Sequence, residues 1–293
     1  MKCGPAQGPY PRALMIMSIG DLVLDITIVP AGQLRPDDDN QAVIRVGGGG
    51  QAGNFCAWAA ALGSPVRLVT RVGDDDRGRR LVAELEAVGV EVLAVWGADP
   101  TGLIAVLVGP NGERTMATQR GASAGLRPTD LRKPWFNGVN LIHVPAYSLF
   151  TEPLAGAARA AIDLVRKRRG LLSIDLSSVA GLKEYGGGRF AGDLAKLKPD
   201  LLFATEAESE TLGIGMDELA RVAVLKLGSQ GCVVAGRRVP SPQVKEVDPT
   251  GAGDALAAAF CVSYLDGATP SEAAERAVVV ASGSVTKAGA RPS

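Results

Sequence analysis

The chain has 293 residues, 46% of them hydrophobic and 21% charged, and its 31 basic and 31 acidic side chains leave a formal net charge of +0. That length can bury a large core as one α/β domain, and the composition excludes a disordered chain. The even charge, with only 4% aromatic residues, argues against nucleic acid or an acidic membrane surface as partner.

Residues 1–12 carry Gly and Pro where a signal peptide needs an apolar core, so they read as a mobile leader before one domain over 13–293. ALMIMSIG (13–20) is a short apolar run ending in Gly, a buried strand. LVLDITIV and NQAVIRVG follow within 21–46 with no helix between them. The Ala-rich NFCAWAAALG (54–63) is a helix closed by Gly, and VRLVTRVG is a strand. DRGRRLVAELEAVGV sets Leu81, Leu85 and Val88 at helical spacing. Residues 91–119, EVLAVWG then GLIAVLVGPNGERTMAT, again lack a helix, and PNGE is a hairpin turn signal. NLIHVP, LLSIDLSS, DLLFAT, RVAVLKLG and GCVVAG then read as strands. Helices fall at 152–170, 190–199, 254–265 and 271–287. Strand and helix alternating at these lengths predict parallel βαβ units with helices on both faces of a mostly parallel sheet. The two helix-free stretches, 21–46 and 91–119, predict antiparallel strands outside it, a small β-sheet lid.

No apolar stretch approaches the roughly 18 residues of a membrane span, so a cytoplasmic protein with no membrane partner is expected. Cys3, Cys56, Cys232 and Cys261 form no CxxC pair and there is a single His, His143. The cysteines read as buried small hydrophobes in a reducing compartment, and His143 as packed, not ligating.

Two glycine-rich stretches carry chemistry. In DPTGAGDALAAAF (248–260), Gly251, Ala252 and Gly253 allow a tight turn whose N–H groups point one way, and the helix behind it adds positive potential. Such a turn suits phosphate, and Asp254 beside it can take the proton of an attacking alcohol. The same residues also fit an ordinary helix cap. A P-loop is excluded, and GAGDAL lacks the third glycine of a dinucleotide fingerprint. In GGGGQAGNFCAWAAALG (47–63), the bare backbone admits a ligand and Asn54 can meet hydroxyls; a flexible lid hinge with Asn54 as N-cap fits equally.

These two stretches, in this order and separation, resemble the two signatures of the ribokinase-like (phosphofructokinase-B type) carbohydrate kinases. VGDDDRGRRLVAELEAVGV, GERTMATQRGAS, DLLFATEAESETLG, LKLGSQGCVV and SVTKAGARPS are family-like too, so the resemblance spans nearly all the chain after the leader. It implies a three-layer αβα sandwich with a lid, and transfer of phosphate from ATP, with Mg2+, to a hydroxymethyl group of a small sugar or sugar acid. By resemblance Asp254 is the catalytic base and Gly251, Ala252 and Gly253 form the anion hole. Asp25, Gly49, Gly50 and Asn54 hold the sugar. Lys226, Gly228, Ser229 and Gly231 run along the nucleotide with Gly253. Glu208 organises Mg2+ through water. Asp248, Thr250, Gly289 and Ser293 fall where relatives hold an activating monovalent cation such as K+, largely through backbone oxygens. A homodimer through the lid is the expected partner arrangement.

There are departures. Thr205 replaces the Asn of Asn-x-x-Glu. Val23, Gln51 and the lack of an acid near HVPAYS argue against ribose. A nucleoside kinase, with Trp96 or Phe55 as a base clamp, and a non-catalytic sugar or nucleotide sensor remain alternatives. So do plain readings of single residues: Asp25 as a solvent-facing strand end, Glu208 as part of a solvated acidic helix start, Asp175 as a strand-end acid, and Arg45, Arg114 and Arg120 as surface or lid charges.

Overall fold

The computed structural model describes residues 14–109 and 113–292. The leader, Cys3, residues 110–112 of the PNGE turn and Ser293 lie outside them. The elements in chain order are β1 (Met15–Ile19), β2 (Val23–Pro30), β3 (Ala42–Gly49), α1 (Gln51–Ala61), β4 (Val66–Gly73), α2 (Asp76–Ala87), β5 (Val90–Gly97), β6 (Thr101–Val108) and β7 (Arg114–Gly121). They continue with β8 (Val139–Pro145), α3 (Leu154–Arg166), β9 (Leu171–Asp175), α4 (Val179–Tyr185), α5 (Gly187–Leu197), β10 (Leu201–Thr205), α6 (Glu206–Leu212) and α7 (Met216–Leu219). The last are β11 (Val222–Lys226), β12 (Cys232–Val234), β13 (Arg237–Val239), α8 (Ala252–Leu265) and α9 (Pro270–Ser284).

Alternation along each strand builds a core on both faces of one sheet, ordered β13-β12-β11-β10-β9-β8-β1-β4-β5. Every pairing from β11 to β5 is parallel, and β12 and β13 close one edge antiparallel. Neighbours in β1 point opposite ways. Ile16 packs with Phe55 of α1, Leu81 of α2 and Phe260 of α8. Met17 packs with Ile162 of α3 and Phe190 of α5. The result is the three-layer α/β sandwich that the strand and helix rhythm predicts.

The second sheet, β3-β2-β6-β7, is the lid. Its outer pairs are antiparallel, but the central pair, β2 with β6, is parallel, because these strands come from separate hairpins. One boundary needs correction. EVLAVWG, assigned to the lid, is β5 and pairs in parallel with β4 at the edge of the main sheet. The α2 crossover returns the chain beside β4 as a βαβ unit, and the lid resumes only at Thr101. Trp96 lies half-exposed on this edge strand, and Phe55 of α1 is fully buried against the main sheet. Cys56, Cys232 and Cys261 are buried free thiols. Among the described residues no helix is long and apolar enough to cross a membrane.

Candidate active site

Parallel strands end together, and their carboxyl ends gather polar groups at one rim of the sheet. Asp175 closes β9, Thr205 closes β10 and Lys226 closes β11. Lys226 Nζ donates to both oxygens of Asp175, at 2.6 and 2.8 Å. Burial alone would discharge Lys226, but the carboxylates of Asp175, Glu208 and Asp254 around it outweigh that effect and raise its pKa. His143, beneath them, is stacked on Phe55 at 3.8 Å, with Nδ1 2.9 Å from Ser173 Oγ. Burial and then the Lys226 charge hold its pKa down to about 3, so it is a neutral packing group.

The GAGD turn faces this rim. Gly251 is the N-cap of α8 with φ +77°, and a Cβ there would lie 2.4 Å from the Ala290 carbonyl oxygen. Conformation and space both demand glycine. The N–H groups of Gly253 and Asp254 find no acceptor among the described residues, as first-turn donors ordinarily do not. Lys226 Nζ, 3.6 Å away, is the nearest group to where a Gly253 side chain would stand. Two free donors and an ammonium thus converge on one spot. All five residues expected along a nucleotide (Lys226, Gly228, Ser229, Gly231 and Gly253) line a single cavity of about 210 Å³, which also takes in Ala252 and, from α9, Ala281 and Ser282.

Asp254 is 8% exposed. Asn54 Nδ2 donates to its Oδ2 at 3.0 Å and Gln51 Nε2 to its Oδ1 at 3.4 Å. Burial pushes its pKa up to about 7 against the Asn54 bond; the Asp175 charge adds to the rise, and Lys226 and Gln51 oppose it. A buried carboxyl titrating near neutrality can accept a proton. The cap reading of both polar residues fails here. Asp254 sits in the first turn behind Gly251, and Asn54 in the first turn of α1 behind its N-cap Gly50. Each turns its side chain to the other across 200 residues of sequence.

The four-glycine run is not a loose hinge: β3 continues to Gly49 and α1 starts at Gln51. A Cβ on Gly49 would overlap the Asp25 carboxylate at about 2.1 Å, and Gly50, at φ +87°, would meet the Asp21 carbonyl oxygen at 2.5 Å. Asp25 is therefore laid against bare backbone, not turned to solvent. Burial pushes its pKa up to about 6 against the pull of Arg291. Arg291 Nε donates to Asn54 Oδ1 at 3.1 Å and its Nη2 to the Gly49 carbonyl at 2.9 Å. Among the described residues, four buried atoms here have no partner: Asp21 Oδ1, Asp25 Oδ1, Gln51 Oε1 and Arg291 Nη1. Unmatched buried donors and acceptors around one glycine junction are what a polyhydroxylated ligand would satisfy.

Three comparisons with known proteins follow the same outline. The family model described as "pfkB family carbohydrate kinase" matches residues 13–293. The chain belongs to that family. It is a carbohydrate kinase, a phosphotransferase with an alcohol acceptor. This kinase is 30% identical over 275 residues to fructokinase-1 of Oryza sativa subsp. japonica, covering 85% of this chain and 82% of the relative. It is 29% identical over 260 residues to the ATP-dependent ribose-1-phosphate kinase of Halopiger xanaduensis, covering 85% and 84%. The crystal structure of adenosine kinase from Sinorhizobium meliloti shares its fold, with a TM-score of 0.84, 24% identity and 96% of each chain covered.

Two expected sites of this kinase look different in three dimensions. Glu208 is 7% exposed, not part of a solvated helix start. Its Oε2 accepts the Thr205 N–H at 2.8 Å while Thr205 Oγ1 accepts the Glu208 N–H at 3.3 Å, a capping box for α6. Thr205 thus keeps a structural role where the family has Asn, and Glu208 retains one oxygen for a water-mediated Mg2+ contact. Asp175 adds no free oxygen to it, since both of its own accept from Lys226 Nζ, and among the described residues no three His, Cys, Asp or Glu side chains cluster as a metal site.

At the expected monovalent-cation site the one carboxylate is already occupied. Asp248 Oδ1 accepts from the Thr250 N–H, the Thr250 hydroxyl and Arg114 Nη2, at 2.9, 2.6 and 2.6 Å. Its Oδ2 accepts from the Gly289 N–H at 3.0 Å. The charged ligand is spent, and a guanidinium already stands on it. Ser293 lies outside the described residues.

The reading of the sequence missed Arg291 and undervalued Asp175, Arg114 and Gln51. Arg120 is paired with Asp21 and lies 3.9 Å above the Tyr147 ring, while Arg45 stays on the exposed lid strand β3. The LLSID strand end was the one signal for Asp175; isolated arginines give none.

Proposed function

We propose that this kinase transfers the γ-phosphate of ATP to a hydroxymethyl group of a small sugar or sugar acid, with Asp254 as base. The observation that carries the reading is the placement of α8. Its first turn turns Gly253 to the 226–231 cavity beside Lys226, and Asp254 to the Asn54–Asp25–Gly49 cradle. ATP would lie along the cavity with its phosphates at the free N–H groups of Gly253 and Asp254. The sugar would satisfy the unpartnered atoms of Asp25, Gln51 and Arg291. The substrate hydroxyl gives its proton to Asp254 Oδ as its oxygen bonds to the γ-phosphorus, the bond to the bridging oxygen breaks, and ADP leaves. Charge growing on the transferring group meets Lys226 and the turn. Glu208 would hold Mg2+ through water, and the ion would supply neutralisation of the phosphate oxygens. The lid excludes water from the transfer.

Phe55, fully buried and stacked on His143, is not free to clamp a nucleobase at this cradle, which favours the sugar over the nucleoside reading. On β3 the exposed Ile44 and Val46 share the lid face turned away from Asp25, beside the strand's open edge, whereas Val43 and Met116 lie on the Asp25 side. A second copy of the chain is the partner we propose for that edge.

The test is ADP release from ATP with fructose, ribose, ribose 1-phosphate, 2-keto-3-deoxygluconate, adenosine, inosine and cytidine. Turnover of a sugar, reduced by orders of magnitude in Asp254→Asn with ATP affinity retained, is the expected result. Ligand binding by calorimetry with no ADP formed from any of them would favour a sensor.

A further inference from the structure

The Asp248 carboxylate precedes the phosphate-binding turn, and the ion pair on it comes from the other sheet. Arg114 is the first residue of β7, on the lid, paired with Val108 of β6. Its Nη2 lies 2.6 Å from Asp248 Oδ1 and its Nη1 2.5 Å from Thr250 Oγ1. The side chains are 18% and 10% exposed. The geometry is that of a charge-assisted fork: one guanidinium reads a carboxylate and a hydroxyl two residues apart. The Thr250 hydroxyl in turn donates a hydrogen bond to Asp248 Oδ1, so among the described residues every donor in the group has an acceptor except Arg114 Nε. A metal cation would share this carboxylate with a positive charge a few ångströms away, which repulsion at low local dielectric disfavours.

We propose that Arg114 is the resident cation of this kinase: its guanidinium takes the place of a monovalent metal ion behind the Gly251–Gly253 turn, so turnover needs no K+. The charge arrives with the lid. When β7 lies over the site, Arg114 orders Asp248 and Thr250, and through them the turn that follows directly. Arg114 is thus a positioning residue, because it touches neither substrate nor the reacting atoms.

The inference rests on the kinase reading, and the experiment keeps the two apart. ADP release with the best sugar substrate is measured in K+-free buffer with tetramethylammonium as counter-ion, and again with K+ or Na+ added. Wild type is expected to turn over equally in all three. Arg114→Ala is expected to fall about tenfold to a hundredfold without K+, the loss of a charged hydrogen bond, and to recover on adding K+ or guanidinium. Arg114→Lys should stay K+-independent. A separate readout is the anomalous signal of Tl+, a K+ mimic, in soaked crystals: none at Asp248 in wild type, a peak there in Arg114→Ala.

K+-dependent turnover by wild type, or a Tl+ peak at its Asp248, overturns the proposal without any variant. So does a folded Arg114→Ala that keeps full activity without K+, or that no cation rescues. Wild type inactive with every substrate in every buffer overturns the kinase reading instead.

Discussion

Replacing Asp254 with Asn should stabilise the protein, and more so as pH rises. In the unfolded chain the carboxyl titrates at its ordinary 3.8, whereas burial holds it near 7 in the fold. Between those values the folded form keeps a proton that the unfolded form has lost. The stability tied to that proton is complete below the lower value and lost as pH climbs through the upper one. The full cost of the ionised, buried Asp254 is about 4 kcal/mol above neutrality, and about 2.5 kcal/mol of it accrues between about pH 5 and about pH 8. Asn has nearly the same shape and no charge, so it escapes this dependence. It loses an acceptor for Asn54 or Gln51, at about 1–2 kcal/mol at every pH. Net, Asp254→Asn should be about equal to wild type near pH 5 and about 2–3 kcal/mol more stable near pH 8. For a domain of this size that is a melting-point gap of about 5–10 °C at the higher pH. Denaturant titrations of both proteins at the two pH values measure it. A gap that stays constant or narrows as pH rises would refute the assignment of a strained, buried charge at this position.

The same carboxyl should shape the rate. kcat/KM is expected to rise with pH through about 7 as Asp254 deprotonates, and a profile flat from about pH 5 to about pH 9 would remove it as the base. Gly49→Ala puts a methyl into the Asp25 carboxylate; the sugar KM should rise at least tenfold with ATP affinity unchanged, as isothermal titration of each ligand would report. Ile44→Glu on the lid face, 61% exposed, should halve the mass seen by light scattering, and an unchanged mass would place any dimer elsewhere.

What could be read before the structure was what the backbone dictates locally. Gly251 and Gly49–Gly50 announce themselves because a side chain there would meet a left-handed backbone, a carbonyl or a carboxylate. The strand and helix rhythm was legible for the same reason, since periodicity is local. β5 was misassigned because an edge strand and a lid strand present the same half-apolar run, and only the α2 crossover tells them apart. Arg114, Arg291 and the Asp175–Lys226 pair were hidden for a different reason. Each depends on a partner 51 to 242 residues away, and nothing in the flanking sequence encodes which carboxylate or carbonyl an isolated cation will find. Thr205 looked like a lost metal group; it is a helix cap, a role visible only once Glu208 is seen to reciprocate.

The run of four glycines that opens α1 can be read as a map for engineering. A side chain at 48 would strike the Arg291 guanidinium, at 49 the Asp25 carboxylate, and at 50 the Asp21 main chain, whereas nothing lies within 4 Å of one at 47. A library randomised across these positions should therefore tolerate change at the first, displace Arg291 or Asp25 at the next two, and collapse at Gly50, where the main chain stands in the way. Position 47 faces Asp25 in the β2–β3 pairing, which makes it the one place where a new side chain could be grown toward the cradle, to contact a substituent that the natural substrate lacks, without disturbing the groups that hold it.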